Sequence, residues 1–170
     1  IAQLGFIVLG IFSLDEKGAQ GGLLQMVNHG LVAGALFFII AVLSRSAGSE
    51  LLSRMGGIAM RAPVLAAIFL IVALATLAMP GSPNFVGEIL ILFGAFEQKL
   101  AWGIVASIGV VLASVYMIRM LQKAVHNRLG EGVAPREIDA LGLAVLAPLT
   151  LVILALAVYP NFILERTEPT

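Results

Sequence analysis

Glu88 stands in Pro80-Gly81-Ser82-Pro83-Asn84-Phe85-Val86-Gly87-Glu88, between two apolar runs that carry no other charge. A charged side chain at the centre of a hydrocarbon layer costs on the order of 2.5 to 3.5 kcal/mol by insertion scales, so it is kept where a cavity, a partner or a proton-handling task justifies it. Pro80 and Pro83 each remove a backbone donor, and Gly81 and Gly87 weaken a helix that tries to pass through. A helix break is therefore expected at 80–83. Broken helices in membranes are tolerated only against protein or water, and they recur at ion sites of transporters. Glu88 thus reads as an ion-pathway residue. The alternative is a carboxylate that caps the second half-helix, where the dipole and the free amides favour it. Ser82 or Asn84 could cap without a charge, which favours the pathway.

A second constellation lies upstream. Gln25, Asn28 and His29 occupy i, i+3 and i+4 of an otherwise apolar segment, which puts them on one helical face directed into a bundle. Imidazole accepts on one nitrogen while donating on the other, so a buried histidine can relay a proton near neutral pH. An imidazole that merely bonds two helices together is the competing reading, and spacing does not choose between them. Ser114 and Tyr116 sit inside a later apolar run, where they could bond to a neighbour or to water. Two histidines and no clustered carboxylates leave no conventional metal-ligand set, and the absence of Cys removes disulfides and thiol chemistry.

The elements that must position these residues follow from composition. With 60% hydrophobic and 12% charged residues and a mean hydropathy of +1.05, the chain is not an ordinary soluble domain. It reads as an all-α, polytopic transmembrane helix bundle. Net charge is zero and no basic run is long enough to suggest nucleic acid. About 20 residues are needed to cross about 30 Å of hydrocarbon. Five apolar regions can be marked, 1–14, 22–43, 62–96, 101–121 and 140–159, followed by a short, polar extramembrane tail, 160–170, expected to fray. The first is too short and looks truncated. The chain opens at Ile1 with no charged n-region, so the expectation is a piece without a signal peptide that lacks an N-terminal part.

The third region is divided by Pro80-Gly81-Ser82-Pro83 into a longer piece ending at Met79 and a shorter one starting at Asn84, and length leaves one or two crossings open. Charge is more decisive. A single crossing gathers Arg45, Arg54, Arg61, Arg119, Lys123, Arg128 and Arg136 on one side, against Lys17, Lys99 and Arg166 on the other. The positive-inside rule then makes the Arg-rich loops cytoplasmic and the tail external. Trp102 beside Lys99 reads as an interfacial anchor, and Glu97 with Lys99 needs no special role. Gly30 with Gly34, and Gly109 with Ala113, have the small-xxx-small spacing of close helix packing.

Leu24-Gln25-Met26-Val27-Asn28-His29-Gly30-Leu31, then Met55-Gly56-Gly57, then Leu77-Ala78-Met79-Pro80-Gly81-Ser82-Pro83-Asn84-Phe85-Val86-Gly87-Glu88 resemble the subunit M family of bacterial NADH:quinone oxidoreductase, complex I, over essentially the whole chain. The resemblance implies the last five helices of a fourteen-helix, antiporter-like, proton-translocating subunit of the inner membrane. It implies Glu88 as the acidic residue of a discontinuous helix near the external exit of a proton path, and His29 as part of a central hydrophilic axis. Gln25, Asn28 and Gln3 would support that axis, Gln3 standing where many members have a second histidine. Sister subunits typically carry Lys at the Glu88 position. The resemblance further implies no redox group in this chain, with NADH, FMN, iron–sulfur clusters and quinone in partner subunits, and neighbouring antiporter-like and other membrane subunits as partners. Such a subunit is a non-redox translocase component, not catalytic as an isolated piece. The runner-up readings are a subunit of a multisubunit sodium/proton antiporter or membrane-bound hydrogenase, and a membrane scaffold in which Glu88 and His29 merely pin helices.

Overall fold

The structure, a computed structural model, describes residues 1–52, 55–126 and 137–167. The helices are α1 (Ala2–Ile11), α2 (Glu16–Ala47), α3 (Ile58–Arg61), α4 (Pro63–Thr76), α5 (Pro83–Gln98), α6 (Leu100–Leu121), α7 (Ala140–Val158) and α8 (Asn161–Thr167), with a π turn over Gln122–His126 extending α6. Among the described residues there is no strand. Arg54, Arg128 and Arg136 lie outside the described residues, as does 168–170 of the tail. The part of the tail that is described is not frayed but helical, as α8, and α8 touches α2.

Among the described residues three helices are long and apolar enough to cross a membrane: α2, α6 with its π turn, and α7. The chain is accordingly an integral membrane, all-α bundle. Helix α2 exceeds the apolar run at both ends because its polar flanks cap it: Asp15 accepts a bond from Gly18 N at 3.0 Å, and Gly48 closes the far end at φ 59°. Asp139 starts α7 in the same manner, accepting from Gly142 N at 2.8 Å. Helix α6 presents Ile104, Val105, Ile108, Val111 and Leu112 outward, an apolar face suited to lipid.

Neither α4, with 14 residues, nor α5, with 16, crosses about 30 Å of hydrocarbon alone. Together they follow α2 end to end. Asn28 meets Pro83 and Lys17 meets Glu97, so α5 runs antiparallel along the first half of α2. Leu65, Phe69 and Val72 of α4 share a core with Val32, Ile39 and Leu43 of the second half. The two form one discontinuous helix.

The break occupies 77–82 and starts earlier than the prolines alone suggest. Helix α4 ends in a Schellman arrangement: Met79 N donates to Leu74 O and Ala78 N to Ala75 O, with Ala78 in the left-handed region at φ 49°. A tight turn follows, Ser82 N donating to Met79 O at 2.8 Å across Pro80 and Gly81, whose φ of 91° suits glycine. Pro83 does not terminate anything; it is the first residue of α5, where its missing N–H costs nothing. The first half-helix is therefore the shorter one, contrary to the lengths read from the apolar runs.

Candidate functional site

Gln3 on α1, Gln25 on α2 and Glu88 on α5 come from three helices and meet in the bundle interior. All are buried, Glu88 to 5% exposure. Glu88 Oε1 accepts from Gln3 Nε2 at 2.7 Å and, at 3.5 Å, from Gln25 Nε2. Gln25 Nε2 also donates to Gln3 Oε1 at 2.8 Å, which closes a triangle of two amides and a carboxylate. The same Gln3 nitrogen reaches the Thr76 carbonyl at 3.4 Å, at the end of α4. Among the described residues the ion pair found is Lys17–Glu97 at 2.6 Å, on the exposed surface. Among the described residues Glu88 has no such counter-ion, and its side-chain partners are the two amides.

Close approach of α2 and α5 makes the triangle possible, and glycines permit that approach. A methyl on Gly21 would lie 2.8 Å from Gly87 O and from Ile91 N. A methyl on Gly94 would lie 2.7 Å from Gly18 Cα. A methyl on Gly87 would meet Gln25 Oε1 at 2.6 Å. Gly87 is accordingly no part of the helix break: it lies inside α5 and leaves room for Gln25. Among the described residues nothing stands within 4 Å of a methyl on either member of the small-xxx-small pair Gly30 and Gly34. Gly109 makes only ordinary contact with Phe6.

Gln25, Asn28 and His29 share an inward side of α2, but only the first two are fully buried. At about 100° per residue, Asn28 and His29 fall on opposite sides of Gln25, about 100° apart. Asn28 is buried and donates to Pro83 O at 2.8 Å, pinning the start of α5. His29 is half-buried and turns toward a cavity of about 310 Å³ that it lines with Gln3, Thr76, Tyr116, Val32 and Met117. His29 Nδ1 is buried without a partner among the described residues. Structure thus brings Gln3, Gln25 and Glu88 into contact. It places His29 across a cavity from Gln3 and puts Asn28 at the hinge.

Capping does not account for Glu88. It is the sixth residue of α5, beyond the free amides of the first turn, and its described partners are side-chain amides. Ser82 occupies the cap position but its hydroxyl makes no capping bond. Ser82 Oγ, both polar atoms of Asn84, Asn28 Oδ1 and Gln25 Oε1 are buried without partners among the described residues. Such orphans cost free energy unless water reaches them. Ser114 bonds to its own helix, at Val110 O. Thr76 carried no sequence signal, because its contribution to the site is a backbone carbonyl freed at a helix end.

The sequence matches the family model described as NADH:quinone oxidoreductase/Mrp antiporter, TM, over residues 1–113. NADH-quinone oxidoreductase subunit M of Mycobacterium tuberculosis is 37% identical over 174 residues, covering 99% of this chain and 31% of the relative. The subunit M of Rickettsia typhi is 32% identical, covering 97% and 34%. The chain thus spans about a third of the length of the curated relatives it matches. A chain of respiratory complex I from Thermus thermophilus with bound NADH superposes with a TM-score of 0.86 at 30% identity, over 97% of this chain and 36% of that one. A chain of the Mrp complex from Dietzia sp. superposes with a TM-score of 0.85 at 22% identity, over 97% and 39%, a likeness of fold. With the matched family model extending over the helices that build the Gln3–Gln25–Glu88 triangle, this chain belongs to the NADH:quinone oxidoreductase/Mrp antiporter transmembrane family.

Proposed function

We propose that this chain is part of a proton-translocating, antiporter-like membrane subunit in which Glu88 takes up and releases the transported proton. One observation carries the reading: a carboxylate at 5% exposure, with no cation paired to it among the described residues, is held by two neutral amides beside a break in a membrane helix. A structural carboxylate in such a place would be expensive, and a Gln would make the same contacts without that cost. Gln3 and Gln25 orient the carboxylate and cannot themselves exchange a proton in the working pH range. His29 faces the cavity that also reaches Gln3, so water in that space would join an imidazole to the Glu88 site.

The names of the relatives support membership of complex I, with proton movement coupled to quinone reduction by NADH. In that reading NADH, FMN, iron–sulfur clusters and quinone belong to partner subunits, and this subunit is driven by conformational and electrostatic coupling. Neighbouring antiporter-like and other membrane subunits are its partners, in a bacterial inner membrane. The positive-inside rule makes the end of the bundle bearing Arg45, Arg61, Arg119 and Lys123 cytoplasmic and α8 external. A second reading, a subunit of an Mrp-type antiporter without electron transfer, is supported by the likeness to the Dietzia complex.

The test is Glu88→Gln in the full-length subunit within its assembled complex. Assembly should be normal and proton pumping strongly reduced. Glu88→Lys, which keeps an ionisable group, should retain part of it. Full pumping by Glu88→Gln with intact subunit content would sink the reading.

A further inference from the structure

Helix α4 has no cap of its own. Pro63, its first residue, lacks an N–H, and Ala62 before it has no side-chain acceptor. Val64 and Leu65 therefore offer the first unpaired backbone donors. Both are taken by Glu137, more than 70 residues downstream: Val64 N donates to Oε2 at 3.1 Å and Leu65 N to Oε1 at 3.1 Å. Oε1 also accepts from Ile138 N at 3.0 Å, which folds the carboxylate over its own backbone. Two residues on, Asp139 caps α7. One short segment thus ties the start of α7 to the start of α4.

The carboxylate is well placed for this. It sits at the positive end of the α4 dipole and accepts one N–H on each oxygen. Burial pushes its pKa up, but the bonds from Ile138, Val64 and Leu65 together outweigh that and hold it below the ordinary carboxylate value.

The other end of α4 reaches the site. The Thr76 carbonyl accepts from Gln3 Nε2, the nitrogen that also holds Glu88. Because the helical hydrogen bonds are interrupted over 77–82, the backbone alone does not fix how far α4 stands from α5. A rod of 14 residues, about 20 Å long, is held by Glu137 at one end and meets the triangle at the other. We infer that Glu137 is a positioning residue: by capping α4 from the α7 segment it sets the height and rotation of the first half of the broken helix, and through Thr76 the placement of Gln3 beside Glu88. The functional part rests on Glu88 being the proton-carrying group.

The experiment uses the full-length subunit in its complex, in lipid nanodiscs, and reads amide exchange at Val64 and Leu65 together with proton pumping. Glu137→Ala should speed exchange at these amides about tenfold, the usual effect of losing a helix cap, and should lower pumping. Adding Ala62→Ser, which gives α4 a local acceptor but no tie to the α7 segment, should restore the protection and leave pumping low. Should Glu137→Ala fail to assemble, Glu137→Gln, which keeps one acceptor oxygen, should show smaller changes in the same direction. Unchanged exchange overturns the inference, whatever pumping does. Faster exchange with undiminished pumping also overturns it, as does Ala62→Ser restoring pumping along with protection, since a local cap does not tie α4 to the α7 segment. Failure of the Glu88 reading is separable, because it shows as full pumping in Glu88→Gln while the exchange results are unaffected.

Discussion

Gly87→Ala should damage proton transfer while leaving the fold intact. The added methyl would lie 2.6 Å from Gln25 Oε1, against the 3.4 Å at which ordinary contact begins, so the amide must retreat by about 0.8 Å. Its Nε2 donates to Gln3 Oε1 at 2.8 Å, and a shift of that size carries the pair past hydrogen-bond range. Leaving a buried amide unpaired costs about 1 to 3 kcal/mol. Replacing a helical glycine by alanine returns about 0.5 to 1 kcal/mol. The net cost is therefore about 0 to 2.5 kcal/mol, and the severe clash falls on the movable end of a side chain, with Gln25 Cβ and N following at 3.3 Å. Gly21→Ala meets Gly87 O and Ile91 N at 2.8 Å, which are backbone and cannot yield without parting α2 from α5. The assay compares subunit content of the purified complex with proton uptake into proteoliposomes for both variants. Gly87→Ala should assemble and pump poorly; Gly21→Ala should fail to assemble. Full pumping by Gly87→Ala would refute the role given to Gln25. Equal loss of assembly in the two variants would refute the argument that Gln25 absorbs the clash.

Four further outcomes are expected. His29→Ala should reduce pumping more than subunit content; loss of both in proportion would make His29 a packing residue. Ala78→Gly relieves a left-handed alanine and should stabilise the subunit by about 1 kcal/mol in thermal or denaturant unfolding, and destabilisation would argue against the Schellman end of α4. Cysteines replacing Glu50 and Ala140 should both be labelled from the cytoplasmic side, and labelling from opposite sides would contradict the single broken crossing. The Glu137 carboxyl is held below its ordinary value of 4.5, so its contribution is present above that value and lost only as pH falls through the lower, folded-state one. Protection of Val64 and Leu65, corrected for intrinsic exchange, should therefore persist through neutral and mildly acidic pH. Loss near neutrality would refute the cap.

Composition and short-range chemistry were enough to read the class of fold and the discontinuous helix, and to single out Glu88 as a candidate, because burying a charge and removing backbone donors are penalties attached to residue types wherever they occur. Even the turn at the break is local, built by Pro80 and Gly81 from their own dihedral preferences. What only tertiary structure decided is which groups meet. The partners of Glu88 are 85 and 63 residues away. Thr76 contributes a carbonyl that every residue possesses, so no residue type could announce it. The division of Gln25, Asn28 and His29 among a triangle, a hinge and a cavity depends on where α1 and α5 stand around α2, to which helical spacing is blind. Gly30 and Gly34 have the right spacing but face nothing among the described residues, whereas Gly21 and Gly87, in a less regular pattern, carry the close contact. Glu137, between an arginine and an isoleucine at the end of a loop, looks like any solvated charge. Its role arises because Pro63 and Ala62 leave a helix end uncapped and the fold brings that end within reach of its carboxylate.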